Sequence, residues 1–457
     1  MSEKFDAIVV GAGQAGPALA ARLDAEGLKT ALVERKLLGG TCVNVGCIPT
    51  KTLVASARAV HVARRGAEFG FAAGDIRVDM GAVKQRKDAV VKQSSDGLAK
   101  WIAGMKHVTL IEGHARFTGP HAMDVGGRAL SADRIFLNVG GRALVPDLPG
   151  VRDVPFLTNS SIMELDRVPE HLLIVGGSYI GLEFAQMFRR FGAQVTVIER
   201  SAKLLPREDD DVAAGIRDIL EREGVTIRTG ADCMEVKRQG GRITVGLACD
   251  AGAPLAEGSH LLLAVGRLPN TQDLGLEAAG IEADARGFIK VDEQCRTNVQ
   301  GVWALGDANG RGAFTHTSWN DYEIVAANLF DGDARRISDR IGCYALFIDP
   351  PLGRVGMNEA EAKASGRKLL AAKMPMARVG RAREAGETQG FMKVLVDADT
   401  QELLGAAILG LNGDEVVHAL LDVMYAKKPF TTIQRAVHIH PTVSELVPTL
   451  LGQLKPA

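Results

Sequence analysis

One pattern occurs twice in this chain and limits its possible folds more than any other feature: an apolar run, a glycine-rich turn, a helical stretch and a second apolar run. In the first copy, FDAIVV (5–10) reads as a buried strand, GAGQAG (11–16) as the turn, ALAARLDAEG (18–27) as a helix and KTALVER (29–35) as the next strand. The second copy is LLIVGGSYIGLEFAQMFRRFGAQVTVIER at 172–200. Each is a βαβ unit, and 457 residues are too many for one hydrophobic core. The chain is therefore expected to be an α/β protein with two Rossmann-like dinucleotide-binding domains. Between the units, 108–145 alternates short strands and turns, and DLPG (147–150) marks a boundary. From about 338 onward, strands (FMKVLVDA, ELLGAAILG) and a helix (GDEVVHALLDVMYAKK) form an α+β pattern, which reads as a separate C-terminal domain.

The first turn carries Gly11, Gly13 and Gly16 in the GxGxxG spacing, and Glu34 follows at the end of the second strand. In that context Gly11 permits the tight turn and Gly13 lets a pyrophosphate approach the helix N-terminus. Gly16 lets helix and strand pack, and Glu34 accepts from a ribose hydroxyl. The second turn keeps Gly176 and Gly181 but has Ser178 at the middle position, and Glu199 ends its second strand. Glu199 would repel a 2′-phosphate, which favours NADH. Arg200 and Lys203 are the residues that would instead accommodate NADPH, although solvated loop charges are the simpler reading of both.

Composition excludes several functions. Hydrophobic residues at 46% and charged residues at 24% describe a packed globular protein. A net charge of −1 leaves nothing to steer the chain to nucleic acid or an anionic membrane. Aromatic residues at 5% argue against a base-stacking platform or a carbohydrate groove. The N-terminus enters a strand without a signal-peptide pattern, and no apolar run reaches the ~20 residues of a spanning helix. Cytoplasmic placement, no membrane and small-molecule or protein partners are expected.

In a cytosolic chain the six cysteines (42, 47, 233, 249, 295 and 343) are expected to be reduced. Only Cys42 and Cys47 are close, in GGTCVNVGCIPTK. Five residues of ideal helix separate two side chains by ~7.5 Å of rise, so their sulfurs meet only if the helix is distorted, and Gly46 and Pro49 supply irregularity. No second CxxC or HxxxH is available to complete a metal site, and no metal is expected. A redox-active disulfide is favoured over two buried thiols, with Lys51 positioned to stabilise negative charge nearby.

GGTCVNVGCIPTK, the two βαβ units in this order, WALGD (303–307) and HIHPTVSE (438–445) together resemble the pyridine nucleotide-disulfide oxidoreductases, the family of glutathione reductase, dihydrolipoyl dehydrogenase and mercuric reductase. The resemblance spans essentially the whole chain. It implies an FAD-binding domain over 1–150, an NAD(P)-binding domain over 151–267, a central segment over 268–337 that returns to the FAD domain, and a dimerisation domain over 338–457. By the same resemblance, Asp307 binds the ribityl chain of FAD, Ala115 and Thr315 touch FAD through their backbone, and Gly266 joins the cofactor-binding set. A nicotinamide hydride would pass to flavin N5, and reduced flavin would reduce the Cys42–Cys47 disulfide. Cys47 would face the flavin as the charge-transfer thiolate while Cys42 attacks substrate, with His440 as its base and Glu445 orienting the imidazole. His440 and Glu445 would come from the other subunit of a homodimer. Tyr179 would cover the nicotinamide pocket, and Glu183 would pair with Lys51 by the flavin. His438 is read as a structural histidine.

The substrate is less constrained. FTHTSWNDYEIVAANL and IDPPLGRVGM look closer to the mercuric-reductase-like branch than to dihydrolipoyl dehydrogenase, yet the tail LLGQLKPA lacks the cysteine pair of mercuric reductases, and an N-terminal metal-binding CxxC domain is not expected. The expected activity is an NAD(P)H oxidoreductase acting on a small disulfide or a metal ion, with dihydrolipoyl dehydrogenase as the alternative and a non-catalytic flavoprotein sensor as a remote one. The charge runs Glu208–Asp211 and Arg335–Arg336 are read as solvated faces.

Overall fold

The computed structural model describes residues 2–232, 234–246 and 256–457; Cys233 and Cys249 lie outside the described residues. The chain divides into two compact units that do not follow chain order: Met1–Thr52, Lys84–Leu144 and Gly266–Arg340 in one, Leu53–Val83, Val145–Val265 and Ile341–Ala457 in the other.

The first unit is built on a seven-stranded sheet. Glu3–Val10 lies between Thr30–Glu34 and Arg128–Leu137, parallel to both, and Val108–Glu112 extends the parallel edge beyond Thr30–Glu34. Ala122–Val125 and Ala115–Gly119 add an antiparallel extension on the far side of Arg128–Leu137, and Val302–Ala304 also pairs with that strand. Successive residues of the central strand point to opposite faces, and both sets are apolar. Ala7 and Val9 pack with Leu19 and Leu23 of the Ala15–Ala25 helix, whereas Ile8 and Val10 pack with Phe117, Met123 and Leu130. A strand buried on both faces reads as one continuous hydrophobic run, which is why FDAIVV stands out in the sequence.

In the second unit a four-stranded parallel sheet runs in the order Thr226–Arg228, Gln194–Ile198, His171–Val175, His260–Leu263. The Tyr179–Phe191 helix follows its glycine turn and buries Leu182, Phe184 and Phe188. The C-terminal part is a six-stranded antiparallel sheet centred on Phe391–Asp397 and Leu403–Leu409. Against it the Gly413–Tyr425 helix packs Val416, Val417, Leu420 and Leu421. The architecture is thus mixed α/β with two dinucleotide-binding folds and an α+β C-terminal domain.

One expectation fails here. Glu208 and Asp209 are not part of a solvated face: both are buried. Arg354 donates to Glu208 and, at 3.0 Å, to Asp209. The Lys393 ammonium lies 2.7 Å from Asp209, 2.7 Å from Asp211 and 2.9 Å from Glu359. Arg354 and Lys393 are themselves buried, on strands more than a hundred residues away in sequence. A local charge run gives no sign of such distant partners. Burial opposes the ionisation of Asp209 and Asp211, but hydrogen bonds from lysine (Lys393, joined by Lys373 at Asp211) outweigh it and hold both carboxyls below their usual range. The same bonds raise Lys393 against its desolvation.

Candidate redox site

The two glycine turns are built alike. Gly11 has φ +103° and Gly176 φ +114°, and a Cβ at either would collide with a carbonyl oxygen of a neighbouring segment, that of Asn138 or Ala264. In the first turn the Glu34 carboxylate accepts the Ala12 and Lys36 amides, both at 2.8 Å. In the second, Glu199 accepts the Gly177 amide at 2.6 Å and the Ser201 amide at 2.8 Å. Each acid thus closes its own turn and keeps lone pairs for a ribose hydroxyl. Ser178, the departure from the glycine pattern, takes an ordinary extended φ of −105° as the N-cap of the Tyr179–Phe191 helix.

Cys42 lies in the short helix Gly40–Val45 and Cys47 is the first residue of the helix Cys47–Arg64. The break between them is Gly46, where a Cβ would sit 2.7 Å from the Thr41 oxygen and 3.1 Å from the Cys42 Cα. Only a residue without a side chain lets the second helix start this close to the first. Pro49 does not contribute to the break; it falls in the first turn of the second helix, where the missing N–H is not needed. The two sulfurs are hydrogen-bonded thiols in this structure. The bond from Cys42 is the main force lowering Cys47 to about 6, with Thr315 and Lys51 assisting against burial. The same bond, with burial, pushes Cys42 well above the usual thiol range. Thr315 Oγ1 lies 3.1 Å from Cys47 Sγ and opens the helix Thr315–Ala326; Lys51 is one turn beyond Cys47 on its helix. The hydrogen bond between them thus favours the proton on Cys42 and the thiolate at Cys47.

A second grouping forms in the C-terminal domain. His440 Nδ1 is 2.8 Å from Glu445 Oε2, with the imidazole exposed and the carboxylate largely covered. His438 is turned to its own backbone, with Nδ1 3.1 Å from the Ala436 oxygen. Tyr179 begins the helix of the second turn, and Glu183, one turn on and buried, accepts the Phe347 amide at 3.0 Å.

The pyridine nucleotide-disulphide oxidoreductase family matches residues 5–321, and the family's dimerisation domain matches residues 343–451. The chain belongs to the pyridine nucleotide-disulphide oxidoreductases. This oxidoreductase is 36% identical to the probable pyridine nucleotide-disulfide oxidoreductase RclA of Escherichia coli, over 99% of this chain and 100% of that one. A structure described as the Cu(II) complex of the HOCl-induced flavoprotein disulfide reductase RclA from Escherichia coli superposes with a TM-score of 0.90 at 35% identity, covering 98% of this chain and 99% of the other. The dihydrolipoyl dehydrogenase of Cupriavidus necator is 34% identical over 98% of this chain and 97% of its own length. A mercuric reductase of Bacillus cereus is 31% identical over 91% of this chain and 66% of its own. Family members use FAD and NAD(P)H.

The residues of this oxidoreductase suit such cofactors. Neither the Ala15–Ala25 nor the Tyr179–Phe191 helix has an acidic residue in its first turn, so a pyrophosphate at either N-terminus meets no opposing carboxylate. Asp307 stands on the Gly306–Asn309 turn, and Ala115 opens a strand with its side chain buried. Gly266 has φ +133° and accepts the Leu144 amide at 2.9 Å. Two supporting residues are invisible to sequence reasoning. Arg267 donates to Asp307 at 3.2 Å and to the Gly141 oxygen at 2.6 Å, and its guanidinium is 3.4 Å from Thr41 Oγ1 beside the cysteine pair. Buried Asp321 accepts the Gly306 amide at 2.8 Å and the Asn309 side chain at 2.9 Å, fixing the turn that carries Asp307. No motif spans these separations. Among the described residues, no helix is long and apolar enough to cross a membrane.

Proposed function

We propose that this oxidoreductase is a cytoplasmic homodimer that takes electrons from NAD(P)H, with NADH preferred, and delivers them through a Cys42–Cys47 disulfide to a small disulfide or a metal ion. FAD, held by Gly11, Gly13, Gly16, Glu34, Ala115, Asp307 and Thr315, supplies the hydride-accepting and two-electron-donating chemistry; Gly176, Gly181, Glu199 and Gly266 serve the nucleotide. The observation that carries the reading is the cysteine pair itself: Gly46 lets the Cys47 helix start against the Cys42 helix, Thr315 Oγ1 lies 3.1 Å from Cys47 Sγ, and the bond between the two cysteines favours the proton on Cys42.

That proton gives His440 its task. As a base it takes the Cys42 proton while Glu445 holds the opposite ring nitrogen, and the Cys42 thiolate attacks one sulfur of a substrate disulfide. The substrate S–S bond breaks as a mixed disulfide forms, and the departing thiolate takes the proton from His440. Cys47 then attacks the Cys42 sulfur, which closes the pair again and releases the second thiolate. Two electrons and the Cys42 proton leave with the reduced substrate, and solvent protonates the second thiolate. Lys51 and Thr315 stabilise the Cys47 thiolate, Glu183 supports the charge around it, and Tyr179 shields the nicotinamide.

NADH preference is supported by Glu199, whose carboxylate is fixed by two amides, and by Lys203, which is committed to the Glu208 carbonyl at 2.6 Å and to Asp210. A metal-ion substrate is supported by the relative solved with Cu(II), and dihydrolipoyl dehydrogenase activity by the formed His440–Glu445 pair. Stopped-flow titration with NADH and NADPH, followed by steady-state turnover of lipoamide, glutathione disulfide, Cu(II) and Hg(II), decides among them. Turnover of none of these removes the enzymatic reading. His440→Ala is expected to abolish dithiol turnover and spare nicotinamide-to-flavin transfer; equal loss of both contradicts the base role.

A further inference from the structure

The segment that carries His440 is held to the C-terminal core at Ile433, seven residues before the histidine, and again just beyond it, while the residues that lead directly into it are exposed. Beyond it, Val443 and Val447 are each 3% exposed and pack into the C-terminal core, and Glu445 sits between them. Before it, Val437 is fully exposed and Ile439 is 80% exposed. Packing within the chain therefore holds Glu445 but leaves the backbone leading into His440 unsupported. A loop of this kind is mobile unless hydrogen bonds fix it.

One side chain spans the gap. The Thr442 hydroxyl donates to the Ile439 carbonyl at 2.7 Å and accepts the Glu445 amide at 3.2 Å. A hydroxyl has one proton to give and lone pairs to receive, so both roles are filled by the same oxygen. The first bond fixes the peptide that enters His440, and the second fixes the backbone of its carboxylate partner. We propose that Thr442 is a positioning residue for the dithiol half-reaction: its hydroxyl clamps His440 and Glu445 into register within their own subunit. This deepens the reading of His440 as the base for Cys42 and rests on it. The clamp needs no partner residue, so the pair is ordered before it meets a substrate or a second chain.

The test uses the full-length FAD-loaded protein with Thr442→Val, which removes both bonds at nearly constant volume, and Thr442→Ser, which keeps them. Thr442→Val is expected to lower kcat for lipoamide or glutathione disulfide about 10- to 100-fold, the cost of a small misalignment of reacting groups. KM and the rate of nicotinamide-to-flavin transfer should stay within about twofold, and Thr442→Ser should restore most of kcat. Hydrogen exchange at the Glu445 amide, a readout independent of turnover, should quicken in the valine variant alone. Unchanged kcat in Thr442→Val, failure of serine to rescue, or equal loss in both half-reactions overturns the clamp. A His440→Ala control separates the two claims. If it cripples dithiol turnover while Thr442→Val does not, the clamp is wrong and the base role stands. If it has no effect, both fall.

Discussion

The lowered Cys47 value depends first on the hydrogen bond from Cys42, so removing that donor should be visible without any turnover. Two variants isolate it. Cys42→Ser keeps a hydroxyl donor, Cys42→Ala has none, and neither can form the internal disulfide. A hydrogen bond to a charged group contributes about 1.5–3 kcal/mol, or about one to two pK units. Thr315 and Lys51 still stabilise the thiolate once the donor is gone, which favours the lower end, about one unit. Thr315 Oγ1 at 3.1 Å, Lys51 and the helix start remain in both variants. The serine variant should therefore titrate near the wild-type value of about 6, and the alanine variant about one unit higher. The assay is the rate of exchange between Cys47 and a small aryl disulfide from pH 5 to 9, with the modified peptide identified by mass spectrometry. At pH 5 the alanine variant has about a ninth of the thiolate. Each thiolate is about threefold more nucleophilic, because reactivity rises with pKa at a slope of about 0.4–0.5. It should react about threefold more slowly at pH 5 and about threefold faster at pH 9, and the two profiles should cross between about pH 6 and 7. Profiles that run parallel, or an alanine midpoint at or below that of serine, would refute the hydrogen-bond account.

Gly46→Ala must push the Thr41 oxygen and the Cys42 Cα away; we expect about 1–3 kcal/mol of lost stability in denaturant melts and slower internal disulfide formation. Cys47→Ser, loaded with FAD, should lose the long-wavelength thiolate–flavin absorbance on two-electron reduction, and a surviving band would move the thiolate to another residue. Lys393→Met leaves the Asp209, Asp211 and Glu359 carboxylates facing one another and should cost about 3–5 kcal/mol by chemical denaturation. Its pH dependence has a fixed sign. Asp209 and Asp211 are lowered, so their contribution is complete above the ordinary carboxylate range near 4 and is lost as pH falls through the depressed values. Lys393 is raised, so its share is present below the usual lysine value near 10.4 and is lost only as pH rises through the elevated one. Wild-type stability should therefore be flat between about pH 5 and 10 on account of this cluster, and fall outside it more steeply than in Lys393→Met.

Features whose cause is local in the chain could be read from the sequence. The strands on either side of each glycine turn are continuous apolar runs because both sheet faces are buried. Gly11 and Gly176 are there because a positive φ and a close carbonyl leave no room for a side chain. Cys42, Gly46 and Cys47 lie within one short segment, as do His440 and Glu445, so pattern marks them, whereas Thr442 between the last two stands out only by its two hydrogen bonds. What the sequence left open depends on contacts across long separations. The hydroxyl that Thr315 brings to the Cys47 sulfur comes from 268 residues away. The support of Asp307 came from Arg267 and Asp321, and Glu208 and Asp209 of the acidic run are buried because Arg354 and Lys393 reach them from the C-terminal sheet. A local pattern records which backbone conformation and which periodicity a segment needs. It does not record which distant charge neutralises a carboxylate or which hydroxyl meets a sulfur, because those pairings exist only once the chain has folded.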